Sequence, residues 1–140
     1  TWCQWMEHTL DNNGWNQRFN FTEYDGYALY MFDRDYLWRF SVWVAGSRET
    51  VQGDSPASFG WHHVCGVREV NGTMVMYVNG SEQSGSATNS GAIDVTGSLY
   101  IGSNYNAEET KYFKGSIDDV RIYNRALTQD EITRLYNMGR

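Results

Sequence analysis

Apolar and polar residues alternate along most of this chain in short runs, and turn residues separate the runs. That period-2 pattern is the signature of strands buried on one face. Residues 1–6, 16–22, 27–32, 36–44, 62–69, 73–78, 98–102 and 114–123 read as strands. Asn12-Asn13-Gly14, Asp25-Gly26 and Asp33-Arg34-Asp35 mark connections between them. Asn71-Gly72 is the strongest hairpin signal, because both residues tolerate the left-handed backbone of a tight turn. Asn79-Gly80 ends the second arm of that hairpin. Residues 46–60 are polar, contain Pro56 and read as a loop, and the Ser/Gly-rich residues 81–90 read as a surface excursion. The pattern predicts an all-β, two-sheet antiparallel sandwich.

The period changes once, near the C-terminus. Thr128 and Glu131 have the spacing of a capping box, in which each residue's side chain bonds the other's backbone N–H. Leu127 and Ile132 have the spacing of a hydrophobic staple. Ile132, Leu135 and Tyr136 then form one apolar face, and Gly139 supplies a stop. One short helix is expected over residues 128–136.

Four segments resemble a known family. The run GSIDDVRIYNRALTQDEITRLYN (residues 115–137) is similar to the closing strand and helix of the laminin-G-like, concanavalin A-like jelly-roll domains. GWHHVCGV (60–67), MYVNG (76–80) and SLYIGS (98–103) resemble further strands of that family in order and spacing. The likeness is strongest from about residue 60 to residue 137, and it implies a jelly roll over residues 1–140 as a single domain. In the family, one or two strands precede the segment that residues 1–6 resemble, so the chain is expected to lack them. Trp2, Trp5 and Met6 would then border an open edge, covered by an upstream strand or by a strand from a neighbour. No initiator Met or signal peptide is present, and TWCQWM lies inside a strand pattern, which reads as a processed or excised chain.

Composition narrows the function. The formal net charge is -6, and no basic stripe is present to suit nucleic acid or an anionic membrane surface. No apolar run reaches the ~20 residues of a membrane span. Aromatics make up 16% of the chain, with 6 Trp and 10 Tyr, more than strand cores alone call for. No E-x-D-x-x-E, G-x-S-x-G, P-loop or H-E-x-x-H pattern occurs, and Asp118 and Asp119 should point to opposite faces of their strand. The chain is therefore expected not to be an enzyme. His62 and His63 should likewise face opposite ways, one buried and one exposed, and not chelate one ion. Cys3 and Cys65 are either a disulfide or two small buried hydrophobes. Three N-x-S/T sequons occur, at Asn20, Asn71 and Asn79, and the last two coincide with Asn-Gly turns.

Two kinds of ligand follow. The resemblance implies a structural Ca²⁺ with Asp118 as a ligand, Asp54 and the Asp33/Asp35 turn being other oxygen sources. Trp15, Tyr24, Tyr105 and Tyr112 fall in or beside turns rich in Asn and Asp, where aromatic faces can stack on sugars. The expected function is a non-catalytic, extracellular or cell-surface recognition module that binds carbohydrate through these loop aromatics. The alternative is a structural or adhesive module whose partner is a cell-surface or matrix protein, completed by a donated strand or by homo-oligomerisation.

Overall fold

The computed structural model describes residues 1–8, 17–20, 26–31, 36–56, 58–93, 99, 101–102, 113 and 115–139. Among these residues nine strands and one helix follow in order: β1 (Trp2–His8), β2 (Gln17–Asn20), β3 (Tyr27–Met31), β4 (Trp38–Val44), β5 (Ser47–Gln52), β6 (Gly60–Arg68), β7 (Thr73–Val78), β8 (Ser81–Thr88), β9 (Gly115–Ile122) and α1 (Gln129–Met138). They form a five-stranded sheet, β8-β7-β6-β1-β9, and a four-stranded sheet, β2-β3-β4-β5. Every pairing is antiparallel. The two sheets and single short helix are those of the jelly roll. Among the described residues no helix is long and apolar enough to cross a membrane.

The main core lies between the sheets. Trp2, Met6, Val64, Met74 and Met76 of the five-stranded sheet meet Trp38, Phe40, Val42 and Val51 of the other. Gly66 is needed here for close approach, since a Cβ would lie 2.2 Å from the Phe40 ring. A second cluster sits on the outer face of the five-stranded sheet, where Cys3, Cys65, Val67 and Tyr77 are covered by Leu127, Ile132 and Leu135.

Two segments expected to be irregular are strands. Residues 47–52 form β5, joined to β4 through Ala45 and Gly46, both at positive φ (49° and 78°). Residues 81–88 form β8, joined to β7 through Asn79 and Gly80 (52° and 78°). Both lie at the ends of their sheets, where polar and charged residues are normal and the alternation is weak. Each contributes little to the core; Val51 is the single buried residue of β5. Gly85 lets β8 approach β5, because a Cβ there would stand 3.1 Å from the Gln52 carbonyl. Asp54, just past β5, accepts hydrogen bonds from the backbone and hydroxyl of Ser84 on β8. Of the expected strand at residues 98–102, residues 99, 101 and 102 are described, as an isolated bridge and two bends and not as a strand; Asp33 and Asp35 lie outside the described residues.

The open edge expected beside residues 1–6 is not there. β1 pairs with β6 on one side and β9 on the other, and Trp2, Cys3, Gln4 and Met6 are buried. Chain order misled because the first described strand lies inside the sheet, between two strands from later in sequence.

α1 follows local chemistry closely. Thr128 is the N-cap, and both halves of the capping box are formed with Glu131. Arg125 grips the Glu131 carboxylate with two bonds of 2.8 and 2.7 Å. This grip, with the Thr128 backbone bond, holds the Glu131 carboxyl well below the usual range, at about 2. The cap fixes the first turn, and Leu127 and Ile132 fix the roll. Ile132 and Leu135 therefore face the sheet, and Tyr136 comes next along the same face.

Candidate functional site

The register of β1 against β6 builds the outer face. Cys3 stands opposite Cys65, Trp5 opposite His63, and Glu7 opposite Trp61. Cys3 and Cys65 form a disulfide, with Cα atoms 4.1 Å apart. Of the two readings open for these residues, the structure selects the cross-link. His63 comes next along the face, under Trp5 and Tyr136, with ring centroids 5.2 and 6.2 Å away. Trp5 and Tyr136 stack at 5.6 Å. Both histidines do face opposite ways, yet both are buried, because Trp5 and the helix cover the side expected to be open. Burial pushes His63 down to about 4, a shift that Asp119 opposes, so its imidazole is neutral at pH 7.

Beyond the helix the same face is open. A groove of about 650 Å³ is lined by Trp5, Trp61, Asp118, Asp119, Arg121, Tyr136 and Gly139. Its size is typical of small-ligand sites. Trp61 is 44% exposed and forms an aromatic wall. Trp5 is 9% exposed, and its Nε1 is buried without an acceptor among the described residues. Gly139 admits the Trp5 ring to this floor, since a Cβ would fall 2.3 Å from Nε1. The terminating glycine thus serves close packing; its φ of -92° is one that other residues also adopt.

The carboxylates arrive through a bulge. Trp5 pairs with Asp118 and Cys3 with Arg121, so Asp119 and Val120 together oppose Gln4. Asp119 takes φ 49°. The extra residue lets Ile117 and Val120 both pack on the core while Asp118 and Asp119 both border the groove. The expectation that the two aspartates face opposite ways is therefore wrong. Asp118 Oδ1 accepts from the Asp119 backbone N–H at 2.7 Å, and Asp119 Oδ1 accepts from Arg121 Nε at 2.8 Å.

Among the described residues, Asp118, Asp119 and Asp54 do not by themselves supply the oxygens of the expected calcium site, and Asp33 and Asp35 lie outside those residues. Ca²⁺ takes six to eight oxygen ligands. Here one Asp118 oxygen is committed to backbone, and the Asp119 carboxylate is bonded to a guanidinium. Both oxygens of Asp54 are engaged by Ser84. Cys3, His63 and Cys65 bring potential metal-binding atoms within 4.8 Å of one another, but both sulfurs are spent in the disulfide.

A second cavity of about 340 Å³ lies at the rim, lined by residues that include Trp38, Asp54, Ser58, His62, Asn79 and Gln83. Its polar groups are largely occupied with one another. The His62 ring bonds Asn79 Nδ2 at 3.2 Å and the Ser58 carbonyl at 2.9 Å. Asn79 Oδ1 accepts from the His63 backbone, and Gln83 Oε1 accepts from that of Asp54. The Asn79 sequon is therefore tied into the fold through both ends of its amide.

Trp15, Tyr24, Tyr105 and Tyr112 lie outside the described residues. The groove residues were individually visible in the sequence, but only as strand or helix positions. The Cys3–Cys65 pairing would have brought Trp5 and Trp61 to one face, though not the β9 and helix residues. Once those two are set opposite each other in antiparallel strands, Trp5 must meet His63, and Trp61 must follow.

The sequence matches the concanavalin A-like lectin/glucanases superfamily over residues 1–133, and the chain belongs to that superfamily. No curated protein matches it. Among solved structures it is similar to a native heptameric SAP-like pentraxin from Limulus polyphemus, with TM-score 0.61, 21% identity, and coverage of 96% of this chain and 81% of that one. It is also similar to the binding domain of Paraclostridial Mosquitocidal Protein 1 (TM-score 0.73, 15% identity, 99% and 36% coverage). The botulinum neurotoxin type G receptor binding domain gives TM-score 0.70 and 16% identity, with 99% and 37% coverage. The chain spans 36% and 37% of those two toxin domains, and at such identities the likeness concerns fold alone. The fold is lectin-like and is one that binding domains use.

Proposed function

We propose that this chain is a carbohydrate-binding module and that the sugar lies in the groove bordered by Trp61 and the Asp118–Arg121 bulge. The observation that carries this reading is the combination of an exposed indole with a carboxylate–guanidinium pair in one open groove. An aromatic face matches the apolar face of a sugar ring, and Asp and Arg side chains can bond its hydroxyls. Trp15, Tyr24, Tyr105 and Tyr112 are proposed as further contacts.

The module is proposed to be non-catalytic. Two-carboxylate glycoside hydrolysis needs acids that flank the bond from either side. Asp118 and Asp119 are neighbours on one strand, and Asp119 is already bonded to Arg121. A disulfide favours an oxidising, extracellular setting. The reading as a strand-completed adhesive module loses its motive, because β1 is paired on both sides.

The test is affinity electrophoresis through a panel of soluble neutral polysaccharides, with the chain and its Trp61→Ala variant. Retardation of the chain that the variant loses supports the groove. Free migration through every polysaccharide, with capture by a protein ligand instead, overturns it.

A further inference from the structure

We infer that the groove discriminates by charge and prefers a sugar carrying a protonated amine over its neutral or anionic counterparts. This rests on the groove being a sugar site. Among the described residues the lining holds two carboxylates and one guanidinium, and the guanidinium pairs through Nε with Asp119. Asp118 keeps its second oxygen without a protein partner among the described residues. Alternation along β1 puts Glu7 on the same outer face as Trp5, opposite Trp61 on one side and Ser116 on the other. Its carboxylate therefore adds negative charge on the flank of Trp61. The whole chain adds to this sign, with a net charge of -6.

A ring lying on the Trp61 face could direct an ammonium group toward the free oxygen of Asp118. The indole face attracts the same cation through its quadrupole. A uronate or sialate would meet the Asp118 and Glu7 carboxylates, with the Arg121 guanidinium already bonded to Asp119.

The experiment compares three soluble oligosaccharide probes at about pH 6 and low salt: a deacetylated chitosan oligomer, the N-acetylated chitin oligomer with the same ring, and a hyaluronan oligomer. Calorimetric titration should give the chitosan oligomer an affinity about three to five times that of the chitin oligomer, as expected for one exposed charge pair. Hyaluronan should bind more weakly than either. Added salt should shrink the chitosan advantage. Asp118→Asn should abolish that advantage, whereas Trp61→Ala should weaken every probe. Equal affinity for the amine and acetamide probes, or tightest binding of hyaluronan, overturns the charge inference and leaves the sugar groove standing. Chitosan binding that is unchanged in Trp61→Ala means adhesion to the acidic surface and overturns the inference together with the groove.

Discussion

The outer face of the five-stranded sheet has two halves that share strands and differ in what covers them. In one half, β1 and β6 are cross-linked by Cys3–Cys65 and sealed by Leu127, Ile132 and Leu135. In the other, Trp61 and the aspartates of β9 stand open in a groove. Trp5, His63 and Tyr136 form the seam. The difference teaches that aromatic content alone does not mark a binding site. Under the helix, apolar side chains meet apolar partners, and burial there stabilises the fold. Beyond it an indole faces water beside charged groups, and its exposure is free energy left for a ligand. Substitutions in the sealed half should cost stability, and those in the open half should cost binding.

The largest effect should come from removing the cross-link. The disulfide closes a loop with a sequence separation of 62 residues. The loop-entropy model assigns that closure about 4 kcal/mol. The double variant Cys3→Ala, Cys65→Ala should lower the urea midpoint accordingly. An unchanged midpoint would mean that helix packing alone holds this half.

Acid should act on the seam. The folded-state value of His63, about 4, lies below the ordinary 6.5, so the unfolded chain binds the extra proton first. The stability it confers is complete above 6.5 and is lost as the pH falls toward 4. The loss over that window is on the order of 2 kcal/mol, after allowance for partial solvent screening. Glu131 adds a loss in the same direction, but only from about 4.5 toward 2. Melting measured between pH 7 and pH 5 leaves Glu131 out, and comparison with a His63→Gln variant separates His63 from the Thr1 amino group, which burial also lowers. A His63→Gln variant whose melting temperature falls as steeply as that of the parent would assign the slope elsewhere.

Thr128→Ala removes the cap that sets the helix and should cost about 1 kcal/mol in chemical denaturation. A cost within error of zero would shift the ordering of the helix start onto the Arg125–Glu131 pair.

These predictions draw on parts of the molecule that were not equally legible in sequence. Thr128, Glu131, Leu127 and Ile132 specified the helix, because a cap and a staple are contacts between residues a few positions apart. The strands with one strongly apolar face were also legible. β5 and β8 were not, because sheet-end strands carry polar residues on both faces and resemble loops. The groove was the least legible part. Asp118 was singled out as a metal ligand, yet its present surroundings depend on a bulge that no glycine or proline announces. Trp5, Trp61 and Tyr136 come from three distant segments, and only a tertiary register brings them to one groove. Local pattern assigned each of them to a strand or a helix face and could not say that two of those faces would meet.

The central claim is that exposed Trp61 serves binding and not folding. The most direct measurement is a paired one on Trp61→Ala: its unfolding free energy in urea, and its retardation by whichever neutral polysaccharide retards the parent chain. The account predicts stability within about 0.5 kcal/mol of the parent, together with loss of retardation. A variant that unfolds much more easily, or one that is retarded as strongly as the parent, would contradict it.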